Sequence, residues 1–175
     1  MVDKGVCEAM EGLASHKSIF RVSSGNPVIC GECAQRGPTC CRCDVAEAEL
    51  IAPLSTTEWE QIRAQVPWAA NGPFVVKERN TLRFIREMQR LFPDNPTAVE
   101  ATFPLGATHL RLAQNATGQC VFLGPHGCLL PNAARPLFCQ IYPFWIIYDE
   151  IFALGDPHCL ALQALDSTAT ALAAL

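Results

Sequence analysis

Cysteine is the residue that most constrains how this chain can fold. Ten of its 175 residues are cysteine, and most of them fall into two separated groups. The first group lies in the stretch CGECAQRGPTCCRC, residues 30–43, and contains Cys30, Cys33, Cys40, Cys41 and Cys43. The second group consists of Cys120, Cys128 and Cys139, with Cys159 following and Cys7 standing apart. A chain with this many thiols links them as disulfides, binds metal with them or uses them as redox centres.

The N-terminus indicates the compartment in which these thiols fold. Residues 1–17, MVDKGVCEAMEGLASHK, lack the apolar region of a secretory signal peptide. No apolar run approaches the roughly 20 residues that a membrane-spanning helix needs. We therefore expect a soluble cytoplasmic protein with no membrane partner. Because cytoplasmic thiols stay reduced, metal binding is favoured over a disulfide framework.

Length and charge narrow the choice further. A chain of this length is expected to form one domain spanning residues 1–175. Its net charge of −4 gives it no overall attraction to nucleic acid, so no nucleic-acid partner is expected. The one cationic feature is an arginine stripe on a predicted helix, formed by Arg79, Arg83, Arg86 and Arg90. Such a stripe is usually a solvated helix face, and the alternative is a contact with an acidic protein partner or RNA.

Capping signals and apolar periodicity predict several helices. Asp44 with Glu47 and Ser55 with Glu58 have the spacing of capping boxes, which predicts helices at residues 45–52 and 56–66. The clearest helix is expected at residues 76–92, with an apolar side formed by Phe84, Ile85, Met88, Leu91 and Phe92. Further helices are expected within residues 1–29, starting at Asn95-Pro96, from 135 to 139 and from 159 to 175.

Two β-hairpins are predicted in the later half of the chain. The first joins residues 108–113 to 119–123 through the turn QNATG, and the second is FWIIYDEIFAL, turning at Asp149-Glu150. The paired carboxylates at that turn are interpreted as solvated tip residues. The expected fold class is α+β, a small single domain with helices around short antiparallel hairpins, organised by a cysteine metal site. More helix than strand is expected.

Spacing limits which thiols of the first group can share a metal. The two residues between Cys30 and Cys33 let both sulfurs turn toward one ion. The side chains of the adjacent Cys40 and Cys41 tend to diverge. One of them is therefore expected to ligate, while the other faces a second metal, an open site or the core. A disulfide between the two would be strained.

In the second group, Gly124 and Gly127 flank a turn that can bring the thiols on either side of it together. His126 and His158 could ligate through imidazole, although a surface or supporting role is the simpler interpretation. The predicted ligands are Cys33, Cys40, Cys41, Cys120, Cys128 and Cys139, with Cys30 and Cys159 as further candidates. Cys7 and Cys43 are interpreted instead as small buried apolar side chains.

These motifs also resemble those of a known family. The cysteine-rich start ending in Cys40-Cys41 is followed by CVFLGPHGCLL at residues 120–130 and RPLFCQIYPF at residues 135–144. The combination resembles the zinc- or iron-chelating CxxCxxCC family, also called YkgJ-like, over about residues 30–159. Positions that match the later part of the family pattern are Cys120, Phe122, Leu123, Gly127, Cys128, Arg135, Pro136, Cys139, Tyr142 and Pro143. Flagellin lysine N-methylase, which holds an iron–sulfur cluster, is distantly similar.

The resemblance implies a bound metal held by cysteines of both groups, either zinc or an iron–sulfur cluster such as [4Fe–4S]. Thiolate sets suit both. Arg135 is the expected cofactor-binding residue, because a fixed positive charge offsets the net negative charge of several thiolates. The alternative interpretation of Arg135-Pro136 is a helix start with a surface salt bridge.

Three functions follow from these observations. The first is a metal-binding protein with a structural, metal-handling or electron-carrying role. The second is an enzyme that uses the metal site, such as one that transfers methyl groups to protein lysine. No glycine-rich loop after a strand is present to hold S-adenosylmethionine. The third is a thiol redox protein with reversible disulfides and no metal.

Overall fold

The computed structural model describes residues 14–15, 27–36, 40–148, 150–153 and 159–163. Five α-helices lie in this part of the chain: α1 (Pro27–Arg36), α2 (Thr56–Gln65), α3 (Leu82–Leu91), α4 (Pro96–Thr102) and α5 (Leu137–Ile141). Short 3₁₀ helices cover Val45–Leu50, Pro67–Asn71 and Asn132–Ala134. The eight strands are β1 (Ala14–Ser15), β2 (Pro53–Leu54), β3 (Val75–Arg79), β4 (Thr108–Leu112), β5 (Leu123–Gly124), β6 (Gly127–Cys128), β7 (Phe144–Ile147) and β8 (Glu150–Ala153). The α+β class is confirmed, with more helix than strand among the described residues.

All strand pairs among the described residues are antiparallel, and they form three small sheets. One sheet has the order β2-β4-β3, with Leu110 of the central strand opposite both Leu54 and Lys77. A second has the order β1-β8-β7 and contains the predicted hairpin, in which Ile147 pairs with Glu150. The third is the two-stranded ribbon of β5 and β6. None is long enough to be stable alone, so the sheets depend on the helices packed around them.

Two hydrophobic clusters form the core. The first joins β2, α2 and β4 to the segment after Cys120, and its buried members include Leu54, Ile62, Phe122 and Leu130. The second lies beneath α3 and α4. Four of the five residues predicted on the apolar side of α3 are buried, whereas Phe92 is 45% exposed because it lies just beyond the last turn. Burial of Phe92 was therefore wrongly predicted.

The helix starts largely agree with the capping signals. Ser55 and Glu58 form the expected reciprocal capping box at α2. Asn95 caps α4 by accepting from the Ala98 N–H, with Pro96 in the first turn. Asp44 caps the segment after the cysteines, but it accepts from the Ala46 N–H and the helix that follows is 3₁₀ rather than α. These ends were predictable because caps depend on residues only two or three positions apart.

The helix predicted at residues 76–92 is wrong in its first part. Its start is strand β3, and α3 begins only after Thr81, whose hydroxyl accepts from the Phe84 N–H. The β-branched Val75 and Val76 favour a strand, and β3 pairs with β4 along its whole length. Arg79 is therefore on a strand and does not share a helix face with the other three arginines of the predicted stripe.

The first predicted hairpin is also corrected. Strand β4 pairs with β2 and β3 rather than with residues 119–123. The turn itself is present, since Asn115 N–H donates to the Gln119 carbonyl and Gly118 has a φ of +76°. Beyond it, one β-bridge joins Gln114 to Cys120, and the Val121 N–H donates to the Ala113 carbonyl at 3.1 Å. Strand β4 pairs with strands that are distant in the sequence, and a local sequence pattern cannot reveal such pairing.

No helix in the described part of the chain is long and apolar enough to cross a membrane. Within residues 1–29, the structure describes only β1 and the start of α1. The helix predicted there lies mostly outside the described residues. Of the predicted C-terminal helix, residues 160–163 are described and are helical. The remainder of that prediction lies outside the described residues, as do Cys7 and His158.

Candidate metal centre

Thiols from both cysteine groups meet at one small cavity of about 60 Å³, called the thiol cavity below. Six cysteines line it: Cys30, Cys33, Cys40, Cys41, Cys128 and Cys159. Cys120 and Cys139 line an adjoining, larger cavity of about 130 Å³, whose wall also includes Cys40 and Cys41. All eight predicted ligands are free thiols, and together we call them the thiol cluster. The structure therefore brings together every cysteine predicted to ligate.

The first half of the cysteine stretch is a helix, which corrects its interpretation as a loop. Helix α1 carries Cys30 and Cys33, and Pro27 occupies its first turn, where a missing N–H costs nothing. An ion pair at 3.7 Å between Glu32 and Arg36 supports the exposed side. Because residues three apart share a helix face, both thiols reach the same cavity.

Two glycines allow α1 to approach the β5–β6 turn closely. A Cβ atom on Gly31 would lie 3.1 Å from the His126 carbonyl oxygen. A Cβ atom on Gly127 would lie 3.0 Å from the Gly31 nitrogen and 3.1 Å from the Cys30 carbonyl carbon. Backbone thus packs directly on backbone, and this contact places the α1 thiols beside Cys128. The predicted turn between Gly124 and Gly127 is confirmed, while His126 is exposed and contributes its backbone to this contact.

We expect Gly127→Ala to separate the two halves of the thiol cluster. Gly127 has a φ of +104°, and the added methyl group would press on α1. The expected cost is about 1–3 kcal/mol for the backbone conformation alone, with the contact adding to it. Chemical denaturation measures this cost. Gly106→Ala is the matched control, because Gly106 has a φ of +81° but a Cβ atom there would lie 3.6 Å from the Arg79 guanidinium. Equal costs for the two variants would contradict the close packing.

The segment with Cys40 to Cys43 is held against the second group by backbone hydrogen bonds. Cys120 N–H donates to the Cys41 carbonyl at 2.7 Å, and Cys43 N–H donates to the Gly118 carbonyl at 2.9 Å. The Gln114 side chain donates to the carbonyls of Cys43 and Gly118 at 3.0 and 2.7 Å. These bonds fix Cys41 beside Cys120 although 79 positions separate them in the sequence.

The adjacent thiols of Cys40 and Cys41 do not diverge as predicted. They are hydrogen-bonded to each other, and both residues line both cavities. The local chain is a turn rather than an extended strand, which explains why successive side chains lie on the same side. Neither thiol is in a disulfide. Cys43, interpreted as a small buried apolar side chain, is instead half-buried and disulfide-bonded, so it supplies no free ligand.

Arg135 lies against the thiol cluster, as its expected role requires. It is 9% exposed, its Nε donates to the Leu130 carbonyl at 3.1 Å, and its Nη1 donates to Cys30 Sγ at 3.8 Å. The alternative of a surface salt bridge is wrong, because a buried guanidinium faces sulfur here. Its positive charge lowers the pKa of Cys128 and of Cys139, partly opposing the effect of burial.

Helix α2 positions the segment that carries Arg135 and Cys139. Glu58 accepts from the Leu137 N–H through Oε1 at 2.8 Å, while its Oε2 accepts from Ser55. Gln61 and Gln65 donate to the carbonyl of Ala133. One carboxylate therefore caps both α2 and α5. The sequence predicted only its local role, because the second partner lies 79 residues away.

We expect Glu58→Gln to weaken the attachment of α5 and to make the free energy of unfolding depend less on pH in the acidic range. Burial raises the pKa of Glu58, but hydrogen bonds from Leu137 and Ser55 outweigh it, so the net direction is downward. The stabilising effect is therefore present above the pKa of an unfolded glutamate and is lost as pH falls through the lower folded pKa. At pH 7 the variant should lose about 1 kcal/mol, the usual effect of losing a cap.

Chemical denaturation at pH 7 and at pH 3 measures the Glu58 effect. The difference between wild type and Glu58→Gln should shrink at the lower pH. Glu60→Gln is the control, since Glu60 is exposed on the same helix and makes no hydrogen bond or ion pair among the described residues. A Glu58→Gln cost that does not change with pH would contradict this assignment.

The pKa values of five thiols in the cluster are raised. Burial raises the pKa of Cys33 and Cys128, and it raises that of Cys120 to about 12. Burial also holds the pKa of Cys139 well above its ordinary value. The pKa of Cys40 is raised first by its hydrogen bond to Cys41 and then by burial. Cys40 and Cys139 still expose part of their surface, which fits their position in the wall of an open cavity.

Cys41 lies among the other thiols of the cluster. It lines both cavities, one together with Cys30, Cys33, Cys128 and Cys159 and the other together with Cys120 and Cys139. Burial is the main cause that raises the pKa of Cys33, Cys120, Cys128 and Cys139, and repulsion from Cys41 is a smaller cause of the same sign. A positive ion in this position would reverse the interaction and favour the thiolates.

The donor chemistry fits a soft metal, but the thiols do not form a coordination sphere. Among the described residues, no group of three or more His, Cys, Asp or Glu side chains is arranged to hold a metal ion. The thiols are close enough to interact electrostatically, but their sulfur atoms are not gathered around one point. Thiolate ligands around Zn²⁺ or iron need their protons removed and sulfurs at about 2.3 Å from the metal.

Comparison with known proteins decides nothing about the family. No family model, curated protein or solved structure matches the chain. The resemblance to the CxxCxxCC family therefore stays a prediction based on the motifs described above.

Proposed function

We propose that this protein binds a metal through the thiol cluster, holding either zinc or an iron–sulfur cluster between its two cysteine groups. The observation that carries the proposal is the thiol cavity. Six free cysteines from separate parts of the chain line this cavity. Cysteine sets of this kind in cytoplasmic proteins more often bind metal or take part in catalysis than form a disulfide framework. The motif resemblance to a chelating family supports the same conclusion.

The residues have distinct roles in this proposal. Cys30 and Cys33 on α1, Cys41, Cys128 and Cys159 would supply ligands around the thiol cavity, with the remaining thiols of the cluster at its edge. Arg135 would offset the negative charge of the thiolates through its contact with Cys30. Bound zinc would supply structural stability or Lewis acidity, and an iron–sulfur cluster would supply electron transfer. The proposal places the protein in the cytoplasm.

Anaerobic purification followed by metal analysis and a visible spectrum tests the proposal. Broad absorption near 400 nm with several irons per chain would identify an iron–sulfur cluster. A colourless protein with stoichiometric zinc would identify a zinc site. A metal-free protein whose thiols oxidise in pairs, even after reconstitution with zinc or with iron and sulfide, would overturn the proposal in favour of thiol redox chemistry.

A second candidate function is an enzyme that uses the metal site. The observation that favours it is the larger cavity, which adjoins the thiol cluster and shares Cys40 and Cys41 with the thiol cavity. A purely structural site needs no such space beside it. Methyl transfer to protein lysine is the named case, and calorimetric titration of the metal-loaded protein with S-adenosylmethionine tests it. Absence of binding would reject the methylase and leave the metal proposal intact.

A further inference from the structure

The larger cavity, called the apolar cavity below, has its own chemistry. Aliphatic and aromatic side chains from four elements form most of its wall, among them Leu54, Met88, Leu112 and Phe138. Its volume of about 130 Å³ is close to the roughly 150 Å³ of an apolar cavity that binds benzene in another protein. An apolar cavity of this size is a favourable environment for a small hydrocarbon group.

Arg42 gives the apolar cavity a charged border. It is exposed, it lines the cavity and it makes no ion pair among the described residues. Arg83 pairs with Glu47 and Glu49, and Arg90 pairs with Glu87. Arg63, Arg79 and Arg86 are also exposed without an ion pair among the described residues, but unlike Arg42 they do not line the cavity. An unpaired guanidinium at the edge of an apolar space matches a carboxylate attached to a hydrocarbon tail.

The geometry points to a binding site for a short aliphatic carboxylate in the apolar cavity, with the hydrocarbon tail among Leu54, Met88 and Leu112 and the carboxylate at Arg42. This inference goes beyond the proposed metal function, because neither the tail nor the carboxylate needs a metal. The tail would lie against Cys40, Cys41, Cys120 and Cys139 of the cavity wall, so the ligand would cover one side of the thiol cluster.

Methyl NMR of methionine tests the site without altering the cavity. The chain has three methionines, and Met88 is 2% exposed and lines the cavity. Protein labelled at the methionine methyl groups is titrated separately with hexanoate, hexanol and acetate, and the Met88 signal is assigned by its loss in Met88→Leu. Hexanoate should shift the Met88 signal in a saturable way at lower concentration than hexanol. Acetate, which has the charge without the tail, should not shift it.

Two variants separate the charge from the cavity. Arg42→Ala should weaken hexanoate binding about fivefold and leave hexanol unchanged, as expected for one exposed ion pair. Arg63→Ala is the matched control, because Arg63 is exposed on α2 and does not line the cavity. Ala52→Phe adds a ring to the cavity wall and should prevent both ligands from binding.

The inference is overturned if hexanoate at concentrations up to tens of millimolar does not shift the Met88 signal. It is also overturned if Arg42→Ala weakens the binding of hexanol as much as the binding of hexanoate. Metal content is measured on the same samples. A protein that binds hexanoate but no metal would retain this site while losing the proposed function, and the reverse result would retain the metal site alone. The two failures are therefore distinguishable.

Discussion

Cys41→Ser should remove most of the bound metal. Cys41 lies among five other thiols of the cluster, and its carbonyl joins the two cysteine groups by accepting from the Cys120 N–H. The substitution keeps the size and the backbone hydrogen bond but removes the sulfur. Loss of supporting residues alone typically weakens metal binding 10- to 100-fold, so loss of a central ligand should exceed about 100-fold. Metal content after dialysis against a competing chelator measures the effect.

Cys43→Ser, studied under reducing conditions, is the matched control for Cys41→Ser. Cys43 lies two positions away, is not a free thiol in this structure and does not line the thiol cavity. We expect it to retain the wild-type metal content. Equal metal loss in both variants would show that the substitutions disturb the turn rather than a ligand. Full retention in Cys41→Ser would remove Cys41 from the ligand set.

Phe122→Ala should cause the largest loss of stability of any single substitution considered for this protein. Phe122 is fully buried, stacks on Phe74 at 5.3 Å and contacts Trp68 at 5.7 Å between ring centroids. Truncating a buried phenylalanine costs about 3–5 kcal/mol, because burial is lost and a cavity remains. The total free energy of unfolding of a domain is only about 5–15 kcal/mol. The free energy of unfolding from urea denaturation measures the effect.

Phe92→Ala is the matched control for Phe122→Ala. The sequence pattern assigns Phe92 to the apolar side of a helix, yet Phe92 is 45% exposed and contacts Trp145 edge-on at 5.4 Å between ring centroids. Its truncation should cost about 1 kcal/mol, as expected for one aromatic pair. Similar losses for the two variants would show that the core does not lie where the structure places it. Because Phe122 is two positions from Cys120, its loss should also lower metal content.

The starts of two helices and the candidate site residues could be predicted from the sequence alone. The capping box of Ser55 and Glu58 and the cap at Asn95 depend on contacts within one turn, so local patterns predicted both. The eight candidate thiols and Arg135 were recognised by residue type and by the resemblance. Strand β3 was missed because its alternation of apolar and polar residues is short. About 30 residues of intervening chain separate it from its partner β4.

The thiol-rich character of the candidate site follows from the sequence, because eight of the ten cysteines fall into two groups and the Arg135-Pro136 step lies within the second. How these thiols are brought together depends on the tertiary structure. The contact of Gly31 with Gly127, the bond from Cys120 to Cys41 and the reach of Glu58 to Leu137 each join residues about 80 to 100 positions apart. Such contacts depend on how whole elements pack, and no local pattern encodes that packing.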